Sequence, residues 1–594
     1  MLKDFFKFIK YYGKNKKSKI FTFLLISIFA GGLEFIGIGL IYPFLIMMID
    51  PKTITNTQFF QEFSKSLGIQ EIFICTIVLG ILIISIFLAK NLLMIFCVYT
   101  QNKFVIDWKN DINKMLMNFY LNAPFKKLFE NSNSEKIYNM TVLSSQTLEI
   151  FVLRTLIFCT NCIIIFLIFT LMLIKFPLIS IFTIIFVLLS MMNLNKFFKH
   201  KTEILAPKML EFSLKNNSQI IENIKNLKEI RIFSAEKFFL NKFFKVQKEN
   251  NKIIFKNAFF SGIPPYIVEI ILVLALILLA GVITLQNAEN SSKIIASYGL
   301  ILAIVFRIAP SLNRIQMALN NMNSSKEMIK KMNEEYEKNH FDKIQTKPKN
   351  IKNIDFQDNI QFKNICFSYN EQKPILKDIS FEIKKGEFVG IIGLSGAGKT
   401  TLADLLTGIL TPDNGEILID NNVLNKQNIY EFRNILGYVP QEMNILEDTF
   451  ENNVAWGMTY GNINEERVFE SLKSAQLYDF VEAQGGIKSY IKRLSQGQKQ
   501  RLLIARALYR NPQIIIFDEA TSSLDVETEN DITQMLTSLK GKKTIIAIAH
   551  RLTTLKECNK LIYLKDGSIV DVGTFEELKN KYKDFENLIN LSKL

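Results

Sequence analysis

The sequence predicts two folding units of unlike class: an α-helical bundle that crosses a membrane six times and, after a polar linker, an α/β domain. Three observations carry the prediction. Hydrophobic residues make up 49% of the 594 residues, with 50 phenylalanines, a balance too apolar for an evenly mixed water-soluble chain. The apolar residues gather into six stretches long enough to span hydrocarbon, all before residue 320. Beyond them, apolar strand patterns alternate with helical ones around a glycine-rich loop.

The spans run over Phe21 to Met48, Ile72 to Tyr99, Ile150 to Ile174, Pro177 to Leu194, Ala258 to Thr284 and Ile294 to Leu319. Only Lys175 and Phe176 separate the third from the fourth, which requires a tight hairpin. Lys3, Lys7, Lys10, Lys14, Lys16, Lys17 and Lys19 precede the first span, so its start is expected in the cytoplasm. The segments 100–149 and 195–257, placed on the same side, are also rich in Lys and Arg, whereas the outer loops carry few. An even number of spans returns the C-terminal half to the cytoplasm. The formal net charge of +15 could mean nucleic acid, but basic inner loops explain it, and no nucleic-acid partner is expected.

Phe5, Phe6, Phe8, Ile9 and Tyr12 among the first lysines predict a helix lying on an anionic inner leaflet. A cleaved signal peptide would need a shorter apolar core and a small-residue cleavage site, and neither is present. The two inner segments mix apolar and charged residues at helical spacing, as in Ile220, Ile221, Ile224, Leu227 and Ile230, and are expected to carry the helices out of the membrane. From Asn320 to Asn359 the chain turns strongly polar, which marks a linker. The six cysteines are scattered; Cys159 and Cys162 form a CxxC inside an apolar run and are read as packing residues, not as a metal site.

In the soluble half, the strand Phe388 to Ile392 runs into Gly393-Leu-Ser395-Gly396-Ala-Gly398-Lys399-Thr400 and then a helical TLADLLTGIL. This is a phosphate-binding loop in its strand–loop–helix setting. Its glycines free backbone N–H groups to surround phosphate, Lys399 can reach the β and γ oxygens, and the Thr400 hydroxyl suits Mg²⁺. Further on, the strand Ile514 to Phe517 ends in Asp518 and Glu519, the first suited to Mg²⁺ and the second to orienting a water. His550, one of three histidines, follows another apolar strand and can hydrogen-bond a phosphate.

Between these lies Leu494-Ser495-Gln496-Gly497-Gln498-Lys499-Gln500-Arg501, which resembles the signature motif of ATP-binding cassette (ABC) proteins. Other motifs of that family follow the same order: Tyr369 in FSYN, Gln441 in YVPQ, Ser523-Leu524-Asp525 and His550 in IAHRL. Six spans before one cassette resemble an exporter half-transporter. The resemblance implies a membrane domain over 1–330, a linker over 331–357 and an α/β P-loop nucleotide-binding domain over 358–594. It also implies ATP and Mg²⁺ as cofactors. Tyr369 would stack on adenine; Gly393, Ser395, Gly396, Gly398, Lys399, Thr400 and Thr401 would hold the phosphates. Thr400, Gln441 and Asp518 would hold the metal, with Gln441 also sensing the γ-phosphate. Glu519 would polarise the water, and His550 would contact the γ-phosphate. Ser495, Gly497, Gln498 and Asp525 would complete the ATP site, Ser495 and Gly497 across a subunit boundary.

Gln496 stands where glycine is commonest, and the stretch Gly485 to Arg493 is short and lacks the acidic segment of similar exporters. Coupling is therefore expected to use other contacts. One loop and one signature per chain call for a dimer, here expected to be a homodimer in a bacterial-type inner membrane.

The charged residues within spans, Glu34, Lys90, Arg154, Glu269, Arg307 and Arg314, are the chemical clue to cargo; Lys90 and Arg154, toward the inner ends of their spans, are read as snorkelling, and Glu34 and Glu269 are open either to a cargo role or to pairing with a basic group such as Arg307. Arg307 and Arg314, seven residues apart, share one helix face with Pro310 between them. With the EFIGIGLIYPF stretch, they resemble lipid-linked oligosaccharide flippases, which implies an amphipathic anionic substrate. Export of drugs or other lipids, or of peptides, is the alternative, although the chain shows no N-terminal protease domain of the peptide-maturing kind. A cassette acting on DNA or ribosomes would have no use for six spans.

Overall fold

Unbroken apolar runs such as FTFLLISIFA give helices with no polar face, and such helices are stable only in lipid or deep in a bundle. In a computed structural model that describes residues 2–14, 16–51, 62, 65–66, 71–129, 132–175, 177–286, 291–341, 354–369, 374–459, 461–518, 526–548 and 552–585, six helical stretches are long and apolar enough to cross a membrane. The chain divides into two units, residues 1–123 with 131–344, and 124–130 with 345–594.

The first unit begins with α1 (Leu2–Tyr12), followed by α2 (Lys17–Ile49) and α3 (Ile72–Asn122). At 1.5 Å per residue the 51 residues of α3 reach about 75 Å, more than twice the hydrocarbon thickness, so the helix continues out of the membrane. Two π-helical stretches, Asn139–Leu143 and Thr147–Val152, lead into α5 (Leu153–Lys175). Here α4 denotes Phe125–Leu128, which belongs to the second unit. Then follow α6 (Pro177–Lys225), α7 (Leu227–Ile232), α8 (Glu236–Gly262), α9 (Pro264–Gln286), α10 (Ser291–Ser324) and α11 (Lys326–Asn339). The membrane core joins Ile38 of α2 to Ile164, Ile168 and Leu171 of α5, Val268 and Leu272 of α9, and Leu300, Ile304 and Ile308 of α10.

The structure refines the reading of α1 as a lipid-surface helix. Phe8 and Tyr12 face inward: Phe8 packs 5.7 Å from Trp108, and the Trp108 indole N–H donates to the Tyr12 carbonyl at 2.8 Å. The Tyr12 hydroxyl donates to the Met332 carbonyl, and Tyr11 stacks on Tyr336 at 4.3 Å. Only one side, with Phe6, remains exposed. Aromatic residues three and four apart among lysines fit either a lipid surface or a protein surface, and here α11 and α3 supply the latter.

The second unit holds a six-stranded sheet of order β10-β9-β3-β8-β7-β6 and a four-stranded antiparallel sheet of order β2-β1-β4-β5. The first contains β3 (Phe388–Ile392), β6 (Leu436–Val439), β7 (Ile514–Asp518), β8 (Thr544–Ile548), β9 (Lys560–Lys565) and β10 (Ser568–Gly573). The second contains β1 (Asn359–Phe367), β2 (Leu376–Lys384), β4 (Asn414–Ile419) and β5 (Asn422–Val423). From β6 through β9 the large sheet is parallel and buried on both faces. Along β3, Phe388 and Ile392 enter one core while Val389 and Ile391 enter the other; along β7, Ile515 and Phe517 oppose Ile514 and Ile516. That is why these strands read as continuous apolar runs with no alternation.

Candidate nucleotide site

The parallel strands deliver their C-terminal ends to one edge, where helix N-termini and loops meet. β3 ends at Ile392, the loop Gly393–Gly398 follows, and α12 (Lys399–Leu406) starts from it. Gly398 caps α12 at φ +102°, and a Cβ there would lie 2.7 Å from Leu376 Cδ2. At Gly393 a Cβ would come within 2.3 Å of the Leu564 carbonyl oxygen. Both positions therefore reject any side chain, which forces the loop to present backbone in place of side chains. Lys399 is 6% exposed, and its ammonium donates to the carbonyls of Gly393 at 2.9 Å and Leu394 at 3.1 Å, so the cation is held across the loop. Ser395, Gly396 and Thr400 are exposed, and Thr401 is buried. Backbone N–H groups of the loop, a helix N-terminus and a fixed cation together make an anion cradle.

Asp518 is brought to this cradle by strand register. Ile548 of β8 pairs with Ile391 of β3 on one side and with Asp518 of β7 on the other, so Asp518 stands level with the strand end that feeds the loop. It is 3% exposed, and the Tyr438 hydroxyl donates to its Oδ2 at 3.1 Å. Burial and the Asp518 charge together hold the Tyr438 hydroxyl well above its ordinary pKa. Asp404, on α12, faces the same charge: burial first, then Asp518, push its carboxyl up to about 6. Gln441 stands exposed two residues past β6. The Thr400 hydroxyl, the Asp518 carboxylate and the Gln441 amide oxygen are hard oxygen donors of the kind that suits Mg²⁺. Tyr369 lies two residues past β1, its side chain half-buried, and burial is the main cause that raises its hydroxyl pKa. Glu519, Asp525 and His550 lie outside the described residues.

The family assignment follows from this arrangement and from two matches. Residues 376–522 match the ABC transporter domain, and residues 10–308 match the ABC transporter transmembrane region. The chain belongs to the ABC transporter family. It is 33% identical over 370 residues to the ATP-dependent lipid A-core flippase of Francisella tularensis subsp. holarctica, covering 60% of this chain and 59% of that one. It is 30% identical over 374 residues to the flippase of the same name from Saccharophagus degradans, covering 62% of each. It is also 41% identical over 230 residues to a leukotoxin translocation ATP-binding protein of Mannheimia glucosida, covering 38% of this chain and 32% of that one. The chain thus spans about three fifths of the length of the flippases it matches. A bacterial Atm1-family ABC exporter with ATP bound shares its fold, with a TM-score of 0.77 and 20% identity over 96% of this chain and 97% of that one.

Within the ABC transporter architecture, the signature residues belong to another element, the N-terminus of α13 (Gln496–Leu508). Ser495 caps it: its hydroxyl accepts from the Gln498 N–H at 3.2 Å, and Gln498 Oε1 accepts from the Ser495 N–H at 2.9 Å. The side chains of Ser495 and Gln498, both expected to complete the ATP site, are thus committed to a capping box at the start of α13. The short segment before it turns on Gly485 and Gly486, both at positive φ, and bridges back through Thr449 and Tyr490. Tyr490, Lys492 and Arg493 are exposed where an acidic segment was absent from the sequence.

In the membrane unit, Arg307 is bound by Glu34 in an ion pair, with Arg307 Nη2 donating to Glu34 Oε2 at 2.8 Å. Glu34 is 1% exposed. Of the two carboxylates open as partners in the sequence, the structure selects Glu34; Glu269 faces outward on α9. Lys90 is 5% exposed, with its ammonium 5.3 Å from the centroid of the Phe87 ring. Arg314, exposed on α10, is close enough to repel both Lys90 and Arg307. Of these three cations, Arg307 is paired with Glu34. Tyr438, Asp404 and the segment 124–130 beside Tyr369 were not legible from motifs, because their partners lie far away in sequence.

Proposed function

We propose that this chain is half of a homodimeric ATP-driven exporter that moves an amphipathic lipid with an anionic head group from the inner to the outer leaflet of a bacterial inner membrane, and that the lipid is a lipid-linked oligosaccharide. ATP hydrolysis coupled to transport is supported by the loop, Asp518 and signature in a family of transporters, with Glu519 read as the residue that orients water and His550 as a γ-phosphate contact. When bound, Mg²⁺ would be held by Thr400, Asp518 and Gln441 and would offset phosphate charge. Lys399 and the N-terminus of α12 bind the β and γ oxygens, and Tyr369 supplies the face for adenine.

The observation that carries the cargo reading is the charge balance around α10. Glu34 neutralises Arg307, and among the described residues neither Lys90 nor Arg314 has a carboxylate ion-pair partner. An uncompensated cation in a span is costly and is kept where an anion comes to meet it. A pyrophosphate between a polyprenyl tail and a sugar meets that requirement, and the relatives named lipid A-core flippases support a lipid cargo. A second reading, toxin or peptide export, is favoured by the leukotoxin translocation relative alone.

The test is ATP turnover by the reconstituted protein with candidate cargo. Stimulation by a polyprenyl-pyrophosphate oligosaccharide, lost in Arg314→Gln and Lys90→Gln, supports the reading. Stimulation by neutral amphiphiles or by peptide, with no response to the lipid-linked sugar, overturns it.

A further inference from the structure

Tyr369 is held by a piece of chain that comes from between two membrane spans. The segment 124–130 belongs to the second unit, and in it Phe129 meets the Tyr369 ring at 5.4 Å between centroids and 74° between planes. Phe367 meets the same ring at 5.1 Å and 89°, and Phe125 backs Phe129 at 5.0 Å and 85°. Lys126 secures the segment beside them. Its ammonium lies 3.1 Å from Asp413 Oδ1 and 5.3 Å from the Phe367 centroid. The other oxygen of Asp413 accepts from the backbone N–H of Ser368 at 2.7 Å and from its hydroxyl at 2.9 Å, and Ser368 immediately precedes Tyr369. One short helix, α4 (Phe125–Leu128), and its flank thus hold both the ring and the backbone that carries it.

We infer that Phe129 is a positioning residue for the purine base, fixing the plane of Tyr369 against which adenine stacks. The inference rests on the reading of Tyr369 as the adenine platform. A tyrosine ring free to swing about its two side-chain torsions must be ordered when the base arrives, and that ordering weakens binding; edge contacts from Phe129 and Phe367 remove the freedom in advance. Phe129 is 59% exposed, so it is not needed to close a core; its ring contacts are with Tyr369 and Phe125. The Lys126–Asp413–Ser368 chain sets the height of the platform, and it is the reason this part of the site depends on a segment from the membrane half of the sequence.

The experiment measures binding of MgATP and of inorganic tripolyphosphate, which has no base, to the full-length protein in detergent. Phe129→Ala is expected to weaken MgATP about three- to tenfold, on the scale of one aromatic pair, while tripolyphosphate binding stays unchanged, and Phe129→Tyr is expected to restore MgATP. Tyr369→Ala serves as the reference. If it weakens MgATP while Phe129→Ala does not, the inference is wrong and the platform reading stands. If Tyr369→Ala leaves MgATP binding at the wild-type level, the platform reading fails and the inference with it. Equal loss of both ligands in Phe129→Ala assigns the residue to the fold and also overturns the inference.

Discussion

Burial, and after it the nearby Asp518 charge, makes the Asp404 carboxyl on α12 costly to ionise. Its folded pKa, about 6, lies above the ordinary 3.8, so the folded protein binds a proton more tightly than the unfolded chain does. Stability therefore falls as pH rises from about 4 to about 6 and then levels off. Asp404→Asn, which never ionises, is expected to melt together with wild type near pH 4 and at a higher temperature above about pH 7 in nucleotide-free protein. Melting curves that stay parallel across that range would count against the raised Asp404 pKa. At the neighbouring Glu519, replacement by Gln keeps size and hydrogen bonding but removes the carboxylate. ATP binding should persist while hydrolysis falls by about two orders of magnitude or more, and turnover near wild type in purified protein would reject the role. These two residues differ in how they could be found. Glu519 follows Asp518 at the end of an apolar strand, a pattern contiguous in sequence. The influence of Asp518 on Asp404 depends on where β7 lies beside α12, which no local pattern encodes.

At the scale of elements, the long apolar helices and the buried parallel strands were legible because lipid and a two-sided core both demand continuous apolar sequence. Element partners were less so: the sequence left Arg307 with Glu34 or Glu269, and packing of α2 on α10 decides for Glu34. The pair makes a definite prediction. Glu34→Gln strands a partly buried guanidinium and should cost about 3 kcal/mol, seen as early melting in detergent, whereas Glu34→Gln combined with Arg307→Gln should recover most of the loss. Equal melting of the single and double variants would mean that the two side chains do not depend on each other. The cap of α13 is a second element-scale feature. Ser495→Ala removes the hydroxyl that accepts from Gln498 and should cost about 1 kcal/mol at the helix start.

The whole molecule raises the question of where each ATP site is completed. Each chain carries one loop with Lys399 and one capped helix start at Ser495, and these stand on different elements. If two chains close head to tail, each loop is covered by the signature of its partner, and two defective chains can complement each other. Ser495→Arg adds bulk and charge at the helix N-terminus but leaves its own loop intact; Lys399→Ala disables the loop but leaves its own signature intact. Neither variant alone can form a complete site. Co-assembled in equal amounts, half of the dimers are mixed, and each mixed dimer holds one intact composite site, so trapped nucleotide should rise to roughly a quarter of the wild-type amount. Trapping is the better readout, because hydrolysis requires only one additional assumption to fail, namely that one site turns over without the other. If the sites were completed within a single chain, the mixture would trap no more than the average of its two inactive components, and the head-to-tail arrangement, with the homodimer built on it, would have to be abandoned.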